Sequence, residues 1–364
     1  MKTIACIFLF LTVSFSISAQ QKLAWHEPSF VEGVCITDTS NIFHRLPVSM
    51  KDQVRKAVWD LSENTAGEFI RFTTSATEIK VRYILSNKNF SMPHMPATGV
   101  SGLDLFSMGA TGIWSWYPGR YSFGDTCTFI FNNFISVANT NEFYLYLPLY
   151  NSVQWMSVGV ADDARFSFSE KKKDKPIVAY GTSIMQGAVA SRPGLAWTNI
   201  LARNINTTII NLGFSGNGRF EKPLFDLMAS VDARLYILDC MPNLTGGVSA
   251  AEIKERVVYG INKLRERNKS VPVLLVEHAV GYAPFYMDTL KLNTYHRSSI
   301  MISQIFNELK SSGIKDIFLL TDKEIAFDIN STTEGLHPND IGMMKYADAY
   351  EKKIRQILKE FSRK

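Results

Sequence analysis

Pro176-Ile177-Val178-Ala179-Tyr180-Gly181-Thr182-Ser183-Ile184-Met185-Gln186-Gly187 is the stretch on which the reading of this chain turns. It opens with a short apolar run that does not alternate, and a Gly-Thr-Ser turn follows. Such a run reads as a strand buried on both faces. The same theme recurs at 208–212, 234–238, 271–276 and 316–320. Helix-like segments lie between these runs, near 195–204, 221–229, 249–267 and 289–311, and a last one covers about 339–361. Apolar strands alternating with helices predict a parallel sheet covered on both faces. Ligands of such sheets sit at the carboxyl ends of the strands, so the residues just after each strand are the candidates for chemistry.

Upstream the character changes. From about 22 to 168 the chain reads as short β segments, for example 68–72, 78–83, 128–131 and 142–147. Several alternate polar and apolar residues, which predicts an antiparallel sheet sandwich with one wetted face. Ser169-Glu170-Lys171-Lys172-Lys173-Asp174-Lys175-Pro176 separates the halves and reads as a solvated linker. At the start, Met1-Lys2 carries one positive charge, 4–17 is apolar, and Ser18-Ala19-Gln20 offers small residues for cleavage. That is the pattern of a secretory signal peptide, and it is short for a membrane span. The expected organisation is a signal peptide over 1–19, a β-sandwich module over 20–169 and an α/β domain over 174–364. The mature protein is expected to be exported, periplasmic or extracellular, with no membrane span left after cleavage.

A length of 364 residues fits two domains. Hydrophobic residues at 46% and charged residues at 20% exclude a disordered or fibrous chain. A net charge of +5 is too small to suggest a nucleic-acid binder. Four Cys are too few for a disulfide scaffold and lack metal-ligand spacing. In an oxidising compartment Cys35 and Cys127 are candidates for a bridge, and Cys240 reads as a small buried apolar residue. His26, His44, His94 and His296 show no ligand spacing, and no Gly-rich Lys-Ser/Thr phosphate loop occurs. No metal and no cofactor are expected.

The strand ends carry a set in order. Ser183 follows the first strand, Gly216 the second (within Gly213-Phe214-Ser215-Gly216-Asn217-Gly218), Asn243 the third, and His337 comes after the fifth. Singly, each has an ordinary explanation as a helix cap or turn residue. Together they resemble the four sequence blocks of the SGNH hydrolases, also called GDSL esterases and lipases. The resemblance covers roughly 174–364. It implies a flavodoxin-like three-layer α/β/α domain and ester hydrolysis through an acyl-enzyme. A second match lies upstream, where the segment from Ser91 to Phe106 contains Gly102-Leu103-Asp104-Leu105-Phe106. It is similar to the Gly-x-Asp-Leu-Tyr segment of a jelly-roll-like N-terminal module found in a bacterial subset of the family, with Phe106 in place of the Tyr.

The resemblance assigns Ser183 as nucleophile and His337 as the base that activates it. The family's third member is an Asp three residues before the His. Here that position holds Glu334, whose extra methylene would set the loop back by about 1.5 Å. A backbone carbonyl, or Asp340, is the alternative partner of the ring. The Ser183 and Gly216 N–H groups and the Asn243 amide would form the oxyanion hole, with Gly213 and Gly218 as alternatives by spacing. Thr182 stands where the family has Asp and can pin the turn through its hydroxyl. Thr182, His278, Tyr282 and Trp116 are the candidate substrate-binding residues, the tryptophan by stacking on a sugar ring. The alternative for Trp116 is core packing, and for His278 a structural role.

The leading expectation is an exported serine esterase that removes acetyl or short acyl groups from carbohydrate. A lipase, arylesterase or thioesterase would use the same site. A glycan-binding protein with a vestigial hydrolase domain is the reading from another class. The partner is an acylated carbohydrate or another small ester, not a nucleic acid. The β module either binds polysaccharide or packs on the hydrolase. Packing is favoured, with His94 or Asp104 near the contact.

Overall fold

The computed structural model describes residues 22–38, 40–109, 111–132, 142–267, 269–279 and 288–361. The signal segment 1–19 and Tyr282 lie outside the described residues. The first half contributes β1 (Leu23–His26), β2 (Phe69–Thr74), β3 (Glu78–Leu85), β4 (Asp104–Met108), β5 (Trp114–Tyr117), β6 (Arg120–Ser122), β7 (Cys127–Asn132), β8 (Glu142–Tyr146), β9 (Val153–Ala161) and β10 (Phe166–Phe168), with short helices α1 (Lys56–Ser62) and α2 (Ala97–Val100). They form two antiparallel sheets, ordered β1-β9-β3-β7-β6 and β10-β2-β8-β4-β5. Phe72, Val81, Phe129, Phe143, Leu145 and Val158 fill the space between them.

The two sheets differ on their outer faces. In β3, Ile79, Val81, Tyr83 and Leu85 are buried, while Lys80, Arg82 and Ile84 turn outward. That sheet has the wetted face the alternation predicts. In β2, Phe69 to Phe72 are all buried, and so are Phe143 to Tyr146 in β8. Here the expectation is corrected: Phe69, Phe106, Tyr144 and Tyr146 make a second aromatic layer on the outside of the sheet. The α/β domain covers it, with the Arg203 guanidinium 4.1 Å above the Phe106 ring. The charged linker is also more constrained than a solvated strap. Arg71 donates to the Glu170 carbonyl, and the Lys172 N–H donates to Glu32 at 3.3 Å.

The second half contributes β11 (Ile177–Gly181), α3 (Ser183–Gln186), α4 (Trp197–Asn204), β12 (Ile209–Gly213), α5 (Lys222–Ala229), β13 (Leu235–Asp239), α6 (Ala250–Leu264), β14 (Val273–Val276), α7 (Thr289–Ser311), β15 (Ile317–Leu320), α8 (Asp322–Ile325) and α9 (Asp340–Phe361). The five strands are parallel, in the order β12-β11-β13-β14-β15, the flavodoxin-like arrangement. One face buries Leu224 and Phe225 of α5, Ile253 and Val257 of α6, and Ile302 of α7. The other buries Trp197 and Leu201 of α4 and Met343, Tyr346 and Tyr350 of α9. This is a three-layer α/β/α SGNH-type domain, preceded by a β sandwich. Gly181 pairs with both Gly213 and Asp239. The carboxyl ends of β11, β12 and β13 are therefore level, and their loops meet at one edge.

The cysteines do not pair: Cys35, Cys127 and Cys240 are all free. Cys127 sits inside the sandwich, whereas Cys35 packs against the core of the α/β domain. The two belong to separate cores, which corrects the Cys35–Cys127 bridge. No helix among the described residues is long and apolar enough to cross a membrane.

Candidate active site

Ser183 opens α3 immediately after β11, and its side chain is almost fully buried. Thr182 caps this helix, its hydroxyl accepting from the Ile184 N–H at 3.4 Å. Thr182 is itself buried, so it shapes the turn rather than facing an open pocket. The Ser183 Oγ lies 2.8 Å from His337 Nε2. His337 Nδ1 hydrogen-bonds the Glu334 carboxylate, whose same oxygen accepts the His337 backbone N–H at 2.9 Å. The carboxylate makes Nδ1 the donor, which leaves the Nε2 lone pair to accept from the Ser183 hydroxyl. Asp340 does not reach the ring. Its Oδ1 accepts the Ser191 N–H at 2.9 Å, tying the start of α9 to the loop after α3.

Gly216 and Asn243 stand on the neighbouring strand ends. Gly216 has φ +68, in the left-handed region that glycine adopts without strain. Among the described residues, nothing beyond its chain neighbours lies within 4 Å of where its Cβ would be. Asn243 ends a short turn after β13, and its Oδ1 accepts the Gly218 N–H at 3.0 Å. That bond fixes which end of the amide is oxygen and leaves the NH2 end as the donor. At Gly218 a Cβ would run into the Gly181 carbonyl, so this glycine sets the close approach of two loops.

His278 lies near His337 but inside the core, and Trp116 stands at the contact of the two halves. His278 is buried, and its Nδ1 has no partner among the described residues. Burial first, and then the nearby His337, push its pKa down to about 3. It is a neutral core imidazole stacked near Tyr295, with ring centroids 4.4 Å apart. Trp116 donates its indole N–H to Asp104 at 2.6 Å, and one face carries the Arg192 guanidinium at 4.3 Å. Those contacts place it at the junction of the halves. Asp104, at the centre of the Gly-x-Asp-Leu-Phe segment, also accepts from Arg192 at 2.5 Å and from the Gly194 N–H at 2.8 Å. Among the described residues, no group of three His, Cys, Asp or Glu side chains stands close enough to hold a metal.

Sequence reasoning missed the supports of the Gly213–Gly218 loop. Gln186 accepts the Ser215 N–H at 3.0 Å and donates to Asn64 at 3.1 Å and to the Leu149 carbonyl at 3.3 Å. Arg45 is buried, and one guanidinium nitrogen donates to the Gly213 carbonyl at 2.7 Å and to that of Asn211 at 3.2 Å. Its face covers Phe214 at 4.9 Å. Tyr150 donates its hydroxyl to the Ser183 carbonyl at 3.3 Å. Arg45, Asn64 and Tyr150 all come from the first half of the chain. Only Gln186, three residues after Ser183 at the end of α3, lies next to a motif readable in the sequence.

A 2-1-3-4-5 parallel sheet with Ser, Gly, Asn and His gathered at its carboxyl edge defines an SGNH-type hydrolase domain. The chain belongs to the GDSL-like lipase/acylhydrolase family, whose model matches residues 174–355. The model for the Gly-x-Asp-Leu-Tyr N-terminus of SGNH-hydrolase-type esterases matches 23–166. Among solved structures, one described as a GDSL-like lipase from Bacteroides ovatus is 29% identical with a TM-score of 0.83, covering 93% of this chain and 98% of that one. A salicylyl-acyltransferase from a tetracycline biosynthetic pathway has 18% identity and a TM-score of 0.66, covering 86% of this chain and 89% of that one. A family two carbohydrate esterase from Cellvibrio japonicus has 11% identity and a TM-score of 0.57, covering 81% and 90%. These last two show likeness of fold. No curated protein matches the chain.

Proposed function

We propose that the protein is an exported serine esterase that removes acetyl or other short acyl groups from carbohydrate. The observation that carries the reaction class is the 2.8 Å contact between Ser183 Oγ and His337 Nε2, with Glu334 on the far nitrogen. In this reading His337 takes the Ser183 proton as the oxygen attacks the ester carbonyl. Glu334 holds the ring in the required tautomer and balances the imidazolium that forms. The carbonyl oxygen becomes negative and is met by the Ser183 and Gly216 N–H groups and the Asn243 amide, worth roughly 3–4 kcal/mol each. His337 returns its proton to the leaving alcohol. Water then repeats the sequence on the acyl-enzyme and releases the acid and Ser183.

The carbohydrate part rests on weaker support. The N-terminus has the composition of an export signal, a β module precedes the hydrolase domain, and family two carbohydrate esterases share the fold. The complete Ser183–His337–Glu334 geometry weighs against a vestigial domain that only binds glycan.

The test is hydrolysis of 4-nitrophenyl acetate, butyrate and octanoate by wild type and Ser183→Ala, followed by acetylated xylan. Turnover of acetate, with at least a hundredfold loss in the variant, supports the serine esterase. Preference for octanoate would move the reading to a lipase. A folded wild type no faster than Ser183→Ala on every ester would overturn it.

A further inference from the structure

The N-terminal module presents a second histidine to the candidate active site. His94 rides on a tight turn closed by reciprocal backbone hydrogen bonds between Met92 and Met95, at 2.9 and 3.1 Å. Its ring is exposed and faces that of His337, with centroids 6.1 Å apart and planes 26° from parallel. The two rings form an offset stack, which sets the exposed His94 imidazole beside the proposed base. The same turn walls a cavity of about 590 Å³, lined by Asn87, Asn89, Phe90, Ser91, Met92 and Tyr150, among others. This is within the ordinary volume of small-molecule sites. At one end Tyr150 touches the Ser183 carbonyl, and at the other the turn carries His94 to His337. The cavity therefore adjoins the site on the module side, through Tyr150 and the Met92–Met95 turn, while Ser183, His337 and His94 stand outside its lining.

The direction of the reaction says which part of a substrate belongs there. His337 Nε2 is the atom that returns a proton to the departing alcohol, so groups flanking His337 face the alcohol. Gly216 and Asn243 flank the carbonyl oxygen instead. The cavity wall mixes amides and a hydroxyl with aromatic faces, which suits a ring bearing several hydroxyls. Lys88 is its one charged lining residue, and Lys88 pairs with Asp125. Nothing described in the wall calls for a carboxylate or phosphate on the ligand.

We propose that His94 and the adjoining cavity form the leaving-group side of the site, that they take a neutral polyhydroxylated alcohol, and that His94 is the specificity-determining residue. His94 hydrogen-bonds a hydroxyl adjacent to the ester oxygen, so a sugar ester gains a contact that an aryl ester lacks. The proposal rests on the serine esterase reading and supplies the alcohol side of its substrate.

The experiment compares kcat/KM on a mono-O-acetyl methyl glucopyranoside with that on 4-nitrophenyl acetate, for wild type, His94→Ala and His94→Gln. The ratio of sugar ester to aryl ester is expected to fall at least tenfold in His94→Ala, mostly through KM, and to recover in part in His94→Gln. Ser91→Trp fills the cavity from an exposed position and is expected to lower the same ratio. If both variants keep the wild-type ratio, or lose both activities in parallel, the subsite assignment is overturned and the esterase reading stands. A wild type that cleaves the aryl acetate but no sugar acetate overturns the subsite and the carbohydrate reading, but not the serine chemistry. A wild type that cleaves neither overturns all three.

Discussion

Glu334 is one methylene longer than the aspartate its relatives carry, and the turn uses the added length. The carboxylate curls back over its own loop and accepts both the Nδ1–H and the backbone N–H of His337. One oxygen serves two donors of the same residue. Glu334→Gln keeps the size but removes the charge that offsets the imidazolium, and it offers an NH2 group where an acceptor is needed. A fall in kcat of at least tenfold on 4-nitrophenyl acetate, with KM little changed, is the expected result. An unchanged kcat would remove Glu334 from the proposed triad. At this scale Ser183, Gly216, Asn243 and His337 were legible, because each follows a readable strand in a recognisable order. His278 and Trp116 were not assignable, because whether such a ring faces core, contact or cleft depends on residues far away in sequence.

Among elements, the junction of β13 and α9 carries a titration the sequence did not reveal. Asp239 ends β13 inside the protein, and its Oδ2 accepts the Tyr350 hydroxyl of α9 at 2.8 Å. Burial raises its pKa to about 7, against the hydroxyl, which lowers it. An unfolded aspartate titrates near 4. Below that pH both states hold the proton, and between about 4 and 7 only the native state does. Stability should therefore fall as pH rises through that window, on the order of 1–4 kcal/mol. Asp239→Asn keeps an acceptor for Tyr350 and cannot ionise. The Tm of this variant relative to wild type is expected to rise by several degrees from pH 4 to pH 8. A difference that is flat with pH would show that Asp239 does not titrate in this range. The strands and long helices of this half were readable because continuous apolar runs and helical spacing persist over whole elements. In the first half the β character and the strands β2, β3, β7 and β8 were readable, the remaining short strands and helices were not delimited, and the buried outer face of the second sheet was invisible. Phe69, Phe106, Tyr144 and Tyr146 look like ordinary strand aromatics until the other half is set against them.

At the scale of the whole molecule, the module reaches into the Gly213–Gly218 loop of its neighbour. Arg45 stands 166 and 168 residues before the carbonyls of Asn211 and Gly213 that its guanidinium holds, and it also donates to the carbonyls of Leu61 and Asn64. One fork thus joins the end of β12 to α1 and the segment after it. Beside it Glu68 is buried with neither carboxylate oxygen hydrogen-bonded among the described residues, and burial pushes its pKa well up, against the pull of Arg45. Arg45→Met keeps the apolar stem against Phe214 and deletes only the fork. The loop carrying Gly216 then loses its fixed carbonyl anchor, and a donor that must meet charge only in the transition state loses its placement. The expected result is a fall in kcat of at least tenfold with KM nearly unchanged, beyond any drop in Tm from the lost hydrogen bonds. Arg45→Lys, which can reach one carbonyl but not four, should fall between. If Tm drops and kcat does not, the arginine only glues the two halves. If kcat falls as expected, the module is part of the catalytic apparatus, and the hydrolase half is active only when the sandwich is seated on it.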